Sequence, residues 1–327
     1  MTILVTADLH LNALARDQYR HDFQKQLRAL VTKHRVHTVF ILGDLTDEKD
    51  FHSATLVNKV VDHIQELAQL TKVVILKGNH DYTSVATVPY FAFLKHLIQI
   101  EWIGEPMILP GPNLLLLPHT PNPARDWEKR WNFAVFDWVF AHQTFEGAKA
   151  ESGRVMEGAS AALFKGTKVI SGDVHVPQQL GPVTYVGAPY TIDFGDSFEP
   201  RVLLLNGTKA QSIPCTGPQK RLVQFRIGDK LPTGGLNKGD ILKVRVELDI
   251  GQYAQWAAIK DGVMAWGAKH GFVIHLVQPV TQQKGLSKKT SPRAAPKSDT
   301  ELLKGYAARQ KVDARTVRVG LDLMKGV

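Results

Sequence analysis

An α/β layered architecture is the fold class that this sequence of 327 residues predicts. Short apolar, β-branched runs that each end in polar residues are typical of buried strands. Helical patterns separate the first three runs, and such alternation of strand and helix indicates an α/β layer. The predicted strands cover residues 3–7, 38–42, 73–76, 114–117, 139–141 and 169–170, and the two helices cover residues 17–34 and 51–70.

A second pattern begins after Pro200 and indicates a small α+β module. We therefore predict a first domain over residues 1–205 and an α+β module over residues 206–281. The module has predicted strands at 201–205, 222–227, 241–248 and 272–277 and a predicted helix at 252–269, with the first strand at the boundary. Apolar residues recur on this helix at helical spacing, which favours a core stripe over a stacking surface for nucleic acid. The stripe consists of Trp256, Ile259, Val263 and Trp266.

The last part of the chain predicts a tether followed by helices. Residues 282–298 are rich in Lys, Ser, Thr and Pro and lack apolar periodicity, which predicts a flexible basic linker. Two short amphipathic helical patterns follow within residues 299–327, the first with capping-box spacing between Ser298 and Glu301. Short amphipathic helices bury little apolar surface alone, so we expect them to fold back or to dock on a partner.

Charge and cysteine content narrow the possible environments. The formal net charge of +9 favours polyanionic partners such as nucleic acid, although a merely solvated basic surface is an open alternative. Cys215 is the only cysteine, so the chain forms no intramolecular disulfide, which suits a reducing compartment. No apolar run reaches spanning length and no secretion signal is evident, so we expect a cytoplasmic protein without a membrane partner.

Candidate metal ligands follow the predicted strands, one strand after another. Loops at strand ends of α/β folds present side chains into one shared crevice. Carboxylate oxygens, amide oxygens and imidazole nitrogens suit Mn²⁺, Mg²⁺, Fe²⁺ or Zn²⁺. Singly, each residue has an ordinary explanation as a turn former or a buried histidine. As an ordered set they predict a metal site, and the candidate ligands are Asp8, His10, Asp44, Asn79, His142, Asp173 and His175.

The motifs around these residues resemble the calcineurin-like metallophosphoesterase family. The resemblance implies a β-sandwich flanked by helices and a pair of divalent cations that assist in-line displacement at phosphorus. The motifs are Asp8-Leu9-His10, Gly43-Asp44-Leu45-Thr46-Asp47, Gly78-Asn79-His80-Asp81, the lone His142 and Gly172-Asp173-Val174-His175.

A closer resemblance is to the SbcD-type repair nuclease subunits. It is carried by residues 174–178 and 185–196, which look like the segment that follows the last metal motif in those nucleases. The module from about residue 221 to residue 279 is similar to their capping domain, which is followed here by the C-terminal helices.

This resemblance implies a role for each candidate residue. One cation would be held by Asp8, His10, Asp44 and His175. The other would be held by Asp44, Asn79, His142 and Asp173, with Asp44 as the bridge. His80 would face the scissile phosphate, and Asp47 would orient His80 by a hydrogen bond. We expect two divalent ions, Mn²⁺ first and Mg²⁺ as the alternative.

Asp173 departs from the family, which usually places a histidine at this position. An anionic oxygen in place of a neutral nitrogen should favour harder metals and weaken the attraction for phosphate. Arg16 and Arg20, just after the first motif, are the candidates for holding a DNA backbone. We interpret His119, at the end of a predicted strand, as a loop residue without a metal.

The resemblance implies a DNA nuclease, mainly an exonuclease with some endonuclease capacity. It also implies a homodimer and an SbcC-type coiled-coil ATPase partner, on which the C-terminal helices would dock. Two alternatives stay open. One is a phosphomonoesterase, or a phosphodiesterase acting on small molecules or cyclic nucleotides. The other is a non-catalytic DNA-binding subunit in which Asp173 marks a weakened site.

Overall fold

The computed structural model describes residues 1–109, 113–127, 131–281, 307, 313 and 315–319. It divides into two compact units, Met1–Val280 and Thr281–Val327. In the second unit, residues 307 and 315–319 are helical, and the Asp313 carboxylate accepts hydrogen bonds from the backbone N–H groups of Arg315 and Thr316. The predicted linker at 282–298 and most of the predicted helical segment at 299–327 lie outside the described residues.

Two six-stranded β-sheets form the centre of the first unit. The first sheet has the spatial order β12 (Lys209–Pro214), β11 (Arg201–Asn206), β1 (Thr2–Thr6), β2 (Thr38–Leu42), β3 (Lys72–Leu76) and β4 (Ile100–Ile103). The second has the order β5 (Met107–Leu109), β6 (Leu114–Leu117), β7 (Trp138–His142), β8 (Lys168–Gly172), β10 (Val183–Tyr185) and β9 (Gln178–Leu180).

The two sheets pack face to face, as the predicted sandwich requires. The rings of Phe40 on β2 and Phe140 on β7 lie 4.5 Å apart, and both side chains are fully buried. Strands β1 to β4 are mutually parallel, and so are β6, β7, β8 and β10. Because parallel strands end at the same edge of a sheet, the loops after β1, β2, β3, β7 and β8 can meet. We call these two sheets with their helices the sandwich.

Two long helices cover the outer face of the first sheet. Helix α1 (Gln18–His34) ends at Arg35, whose φ of +48° stops the helix in a left-handed cap. Helix α2 (Ala54–Ala68) begins after Ser53, whose side chain accepts a hydrogen bond from Leu56 N. The predicted start at residue 51 was therefore three residues early. A short helix, α3 (Pro123–Asp126), follows β6.

The six predicted strands of the sandwich are present, with ends shifted by at most two residues. Five further strands were missed. Four of them, β4, β5, β9 and β10, are three or four residues long, too short to show a periodic pattern. The fifth, β12, is almost entirely exposed, and its two apolar residues, Ala210 and Ile213, do not form the apolar run that predicts a strand. Because β12 pairs with β11, the first sheet continues past the boundary predicted at residue 205.

A three-stranded sheet and one helix form the rest of the first unit. The sheet has the order β13 (Lys220–Arg226), β14 (Ile241–Leu248) and β15 (Val273–Thr281), and α4 (Trp256–His270) lies between β14 and β15 in sequence. On α4, Val263 and Trp266 are buried in one apolar cluster, and Trp256 and Ile259 pack partly buried against it. The interpretation of this stripe as core packing is confirmed. We call these elements the three-stranded module.

Within the described parts of the chain, none of the helices combines the length and the apolar character needed to cross a bilayer.

Candidate metal centre

The backbone is strained at four of the seven candidate ligands. The φ angles are +55° at Asp8, +41° at His10, +52° at Asp44 and +77° at Asp173. Left-handed conformations of residues other than glycine cost about 1–3 kcal/mol each and concentrate at functional sites. Cross-loop hydrogen bonds hold two of these loops, from Asp8 N to the Gly43 carbonyl (3.2 Å) and from His10 N to the Asp44 carbonyl (2.9 Å).

Two glycines allow the loops to approach so closely. A Cβ on Gly43 would lie 2.2 Å from Nδ1 of His142, and a Cβ on Gly78 would lie 2.2 Å from an oxygen of Asp44. Neither distance is sterically possible. The glycines of the second and third motifs are therefore required by packing around the candidate ligands.

The first group of ligand atoms belongs to Asp8, His10 and His175, close enough together to hold a metal ion. The Nε2 atoms of the two histidines lie 3.1 Å apart. Nδ1 of His10 lies 3.1 Å from Asp47, and Nδ1 of His175 lies 3.2 Å from Glu151. A carboxylate beside Nδ1 favours the tautomer that carries a proton there and leaves Nε2 free to coordinate, the usual arrangement around ligating histidines. For His10 the contact is an ion-pair distance, since its Nδ1 has no hydrogen-bond partner of standard geometry among the described residues.

A second group consists of Asp8, Asp44 and His142. Nε2 of His142 lies 3.4 Å from Asp44 Oδ1, 3.1 Å from Asn79 Oδ1 and 3.8 Å from Asp173 Oδ1. Its Nδ1 donates to the carbonyl of Leu42 at 2.6 Å. Five of the predicted ligands therefore lie close together, namely Asp8, Asp44, Asn79, His142 and Asp173.

A third group joins Asp44 with His10 and His80. Asp44 thus lies beside ligands of both predicted sets, and Asp8 and His10 likewise each belong to two of the three groups. That Asp44 bridges two cations stays a prediction.

The electrostatics of the crevice fit divalent cations. Asp8 is fully buried, and its Oδ2 has no hydrogen-bond partner among the described residues. Burial raises the pKa of Asp8 above its ordinary value. Burial alone would also raise the pKa of Asp44, but His142 and His10 outweigh it and hold that pKa well below its usual range. Because buried carboxylates are costly without compensation, this donor set suits a positive ion beside Asp8 and Asp44, the two carboxylates of the second group.

Asp81 joins two of the ligand loops, a role that the sequence analysis did not assign. One carboxylate oxygen accepts from Asp44 N (3.0 Å) and Gly78 N (2.6 Å), and the other accepts from Leu45 N (3.1 Å). Burial and the charge of Asp44 raise the pKa of Asp81 to about 6. The fourth residue of the Gly78-Asn79-His80-Asp81 motif therefore shapes the site without lying among the predicted ligands.

His80 is held by Asp47, as we predicted, but through the backbone of Asp47. Its Nδ1 donates to the backbone carbonyl of Asp47 at 2.7 Å, and its N–H donates to Asp44 Oδ1 at 2.8 Å. The Asp47 carboxylate instead faces His10 and accepts from Arg20 Nη1 at 2.8 Å. The predicted hydrogen bond between Asp47 and His80 is therefore present, but it uses the backbone carbonyl of Asp47, because the carboxylate oxygens lie beside His10 and Arg20.

Arg20 does not fit the predicted role in DNA binding. Its side chain is 3% exposed and lies between the Asp17 and Asp47 carboxylates. Its Nη1 also donates to the carbonyl of His10. A guanidinium held this way is part of the site's support and does not reach a DNA backbone, so that prediction was wrong. Arg16 is exposed and stays a candidate contact.

Glu151 and Thr144 are supporting residues that the sequence reasoning missed. Glu151 pairs with His175. Burial lowers the pKa of His175, but Glu151 and Asp8 outweigh it and raise that pKa to about 9. Thr144 Oγ1 donates a short hydrogen bond to Asp173. Thr144 lies two residues after His142, which is a weak signal in the sequence, whereas Glu151 lies in an irregular stretch and has none.

His119 lies at the edge of the metal centre, lining a cavity of about 190 Å³ together with Lys77, Tyr82 and Arg125. The ring centroids of His119 and His142 are 6.1 Å apart, and Nδ1 of His119 lies 2.8 Å from the hydroxyl of Tyr82. Burial and the neighbouring His142 lower the pKa of His119 to about 4. His119 is therefore a neutral side chain beside the centre, outside the three groups able to hold a cation.

The segment after the last metal motif packs beneath the first motif. The Tyr190 hydroxyl donates a short hydrogen bond to the carbonyl of Leu9, and the Tyr19 hydroxyl donates to that of Thr191 at 2.7 Å. The Asp196 carboxylate accepts from Ile192 N at 2.6 Å and turns the segment back on itself. Residues 190–196 thus support the loop that carries Asp8 and His10.

Comparison with known proteins identifies the family to which these motifs belong. The family model described as calcineurin-like phosphoesterase matches residues 1–177. "Putative phosphoesterase 244L" of Invertebrate iridescent virus 6 is 26% identical over 219 residues, which are 62% of this chain and 75% of that protein.

Solved structures with a similar course of the chain include two bacterial proteins. One is the nuclease MPE of Pseudomonas putida, with a TM-score of 0.33, 18% identity and coverage of 65% of this chain and 73% of that one. The other is Yfce, a phosphoesterase from E. coli, with a TM-score of 0.33, 14% identity and coverage of 63% and 88%. The family model spans more than half of the 327 residues and includes all seven candidate ligands. The chain belongs to the calcineurin-like phosphoesterase family, and the protein is a hydrolytic enzyme with divalent-metal chemistry.

Proposed function

We propose that the protein is a Mn²⁺- or Mg²⁺-dependent DNA nuclease of the SbcD type, mainly an exonuclease with some endonuclease capacity. The observation that carries the proposal is the overlap of three candidate ligand groups, in which Asp8, His10 and Asp44 each belong to two groups and His80 belongs to one. The basic net charge of +9 and the resemblance of residues 174–178 and 185–196 to the SbcD-type nucleases support DNA as the substrate.

The ligands divide into two sets. Asp8, His10, Asp44 and His175 hold one cation, and Asp44, Asn79, His142 and Asp173 hold the other. When bound, the two cations lower the pKa of water and stabilise the charge on the attacking and leaving oxygens. The protein supplies rigid placement, because Asp47, Glu151 and the carbonyl of Leu42 each engage Nδ1 of one ligating histidine.

His80 contacts the scissile phosphate in this proposal. The carbonyl of Asp47 can only accept, so it fixes a proton on Nδ1 and leaves Nε2 for the substrate. When protonated, Nε2 donates a hydrogen bond to a phosphate oxygen or to the leaving oxygen. Arg16, exposed after the first motif, contributes a contact to the DNA backbone.

Cleavage assays with three substrates test the proposal. In Mn²⁺, we expect the protein to cleave linear duplex DNA and bis(p-nitrophenyl) phosphate, and Asp44→Ala or His80→Ala to abolish both reactions. Hydrolysis of p-nitrophenyl phosphate alone would identify a phosphomonoesterase and overturn the nuclease. Binding of DNA and Mn²⁺ without cleavage of any substrate would instead identify a non-catalytic subunit.

We further propose two protein partners, a second copy of the chain and an SbcC-type coiled-coil ATPase that binds residues 299–327. The amphipathic pattern of this segment supports the second proposal. The ATPase should co-purify with the full chain and be lost when residues 299–327 are deleted. Retention after that deletion would contradict the assignment of the segment. Sedimentation of the full chain as a monomer would contradict the homodimer.

A further inference from the structure

A connected set of charged and polar side chains leads away from the candidate metal centre. Three of its members are almost completely buried, with exposures of 2% for Asp17, 2% for Arg20 and 6% for Lys220. Buried ionic groups of this kind are costly unless each is paired. We call the set the buried network, and it consists of Asn12, Asp17, Arg20, Asp47 and Lys220.

The network begins at His10. One oxygen of Asp47 lies 3.1 Å from Nδ1 of His10. The other oxygen accepts from Arg20 Nη1 at 2.8 Å and from Asn12 Nδ2 at 2.7 Å. The position of the Asp47 carboxylate, and with it the orientation of the His10 ring, therefore depends on Arg20 and Asn12.

Asp17 is the next member. Its Oδ2 accepts from Asn12 Nδ2 at 3.0 Å and lies 3.6 Å from Arg20 Nη2. Its Oδ1 pairs with Lys220 Nζ at 2.9 Å. Burial alone would raise the pKa of Asp17, but Asn12, Arg20 and Lys220 outweigh it and lower that pKa. The carboxylate is thus a charged member of the network.

Lys220 is the first residue of β13 and belongs to the three-stranded module. Its Nζ also donates to the carbonyl of Ile192 at 2.9 Å, and Arg20 Nη2 donates to the same carbonyl at 3.3 Å. The ammonium of Lys220 lies over the ring of Phe194, 5.7 Å from its centroid. This ring stacks on His275 of β15, with the centroids 5.1 Å apart. One buried side chain therefore joins the module to the support of a metal ligand.

The charges of the network balance, since the carboxylates of Asp17 and Asp47 are matched by Arg20 and Lys220. If the ammonium of Lys220 is removed, Asp17 keeps a buried negative charge without its closest cation. Arg20, only 3.6 Å from Asp17, would then be drawn toward it and away from Asp47. The Asp47 carboxylate would lose a restraint, and the ring of His10 with it.

We propose that Lys220 is a positioning residue for the metal ligand His10, acting through Asp17, Arg20 and Asp47. The packing of the three-stranded module against the sandwich then determines the metal affinity of the site. This rests on His10 being a ligand, as proposed above. Coupling between two sites is reciprocal, so metal binding should in turn hold the module more firmly on the sandwich.

Binding of Mn²⁺ alone to the full chain, followed by electron paramagnetic resonance of the free ion, tests the proposal. We expect Lys220→Met to weaken Mn²⁺ binding about tenfold, the lower end of the 10–100-fold range for partners of ligating histidines. Lys220→Arg keeps the charge and should keep most of the affinity. The matched control is Lys230→Met, which removes an exposed lysine of the same module and should leave the affinity unchanged.

A double variant covers the case in which Lys220→Met does not fold. In Asp17→Asn/Lys220→Met both members of the pair are neutral, so Arg20 is no longer attracted away from Asp47. This double variant should therefore bind Mn²⁺ more tightly than Lys220→Met does. If Lys220→Met is unfolded, the double variant should bind Mn²⁺ as tightly as the parent. Hydrogen exchange adds a second readout. Saturating Mn²⁺ should slow exchange of the β13 amides in the parent chain and not in Lys220→Met or the double variant.

The outcomes separate this proposal from the metal centre itself. In one outcome the parent binds Mn²⁺, and Lys220→Met loses thermal stability but binds Mn²⁺ as tightly as Lys230→Met. Lys220 then has a purely structural role, which overturns this proposal and leaves the metal centre intact. If the double variant binds Mn²⁺ more weakly than Lys220→Met, the argument through Arg20 fails. A parent chain that binds no Mn²⁺ would overturn both.

Discussion

The carboxylate of Asp81 accepts a hydrogen bond from the backbone N–H of Asp44 at 3.0 Å and thereby ties the loop after β3 to the loop after β2. Asp44 belongs to two of the three candidate ligand groups, and its φ of +52° is strained. A side chain outside the predicted ligand set thus holds the central ligand in place.

Replacing Asp81 should loosen the site. In Asp81→Asn the amide NH₂ would face backbone N–H groups that now point at an oxygen, so at least one buried donor would lose its acceptor. Such a loss costs about 1–3 kcal/mol. We expect the free energy of unfolding in urea to fall by about this amount and Mn²⁺ binding to weaken. Asp62→Asn, at an exposed position of α2, is the control. Equal stability of the two variants would contradict the role assigned to Asp81.

The unusual Asp173 should control which metal binds. In Asp173→His an imidazole nitrogen replaces a hard anionic oxygen, so affinity for Zn²⁺ should rise relative to Mn²⁺. The ratio of the two dissociation constants, measured by competition, reports the change. Thr144→Val is the matched control, since it removes the hydrogen bond to Asp173 and keeps the carboxylate. An unchanged ratio in Asp173→His would show that residue 173 does not touch the metal.

Glu151 should contribute to metal affinity through His175. In Glu151→Gln the anionic acceptor opposite Nδ1 is lost, so the imidazole is less firmly oriented and less basic. We expect Mn²⁺ affinity to drop about 10–100-fold, as for other partners of ligating histidines. Isothermal titration calorimetry of Glu151→Gln and of the exposed control Glu157→Gln measures this. If both variants bind like the parent, the contact between Glu151 and His175 does not support the site.

Folding stability should depend on pH through the pair His21 and His63. Their ring nitrogens lie 3.3 Å apart, and burial together with His21 lowers the pKa of His63 to about 4. In the unfolded chain that pKa is about 6.5. The folded state therefore binds fewer protons, so the stability contribution is complete above about pH 6.5 and is lost progressively as the pH falls toward about 4.

The check is the urea midpoint measured across this pH interval. In His63→Gln the loss of stability toward acid should be smaller than in the parent, whereas the exposed control His96→Gln should follow the parent. If the urea midpoint of His63→Gln falls with pH as much as that of the parent, the acid sensitivity arises from other groups.

Local patterns were sufficient for the elements that position the site. Strands β2 and β6 have the bounds that their apolar runs predicted, because a run buried on both faces is unmistakable in sequence. Strand β14 also has its predicted bounds, and there the signal is the alternation of apolar and charged residues. Strand β12 was missed because an exposed edge strand needs no apolar residue. Its pairing with β11 depends on backbone hydrogen bonds, which leave no trace in composition.

The partners of the supporting side chains could not be predicted from local sequence patterns, for a different reason. Arg20 looked like a DNA contact because a basic residue beside a metal motif is usually exposed. In the folded chain, Asp17 and Asp47 flank its guanidinium. Asp47 was expected to orient His80, and its backbone carbonyl does so, whereas its carboxylate lies beside His10. Which acceptor a long side chain meets depends on the mutual placement of several loops.

The sequence by itself determined the main buried strands and the identity of the candidate ligands, and its resemblance to a known family implied the sandwich. Their residue types and their positions after strands follow from local chemistry and from the common edge of parallel strands. Tertiary structure alone decided that Asp81, Glu151 and Lys220 support the site. Asp81 and its partner Asp44 are 37 residues apart in the sequence, and Lys220 and its partner Asp17 are farther apart. Only packing brings such distant residues within hydrogen-bond range.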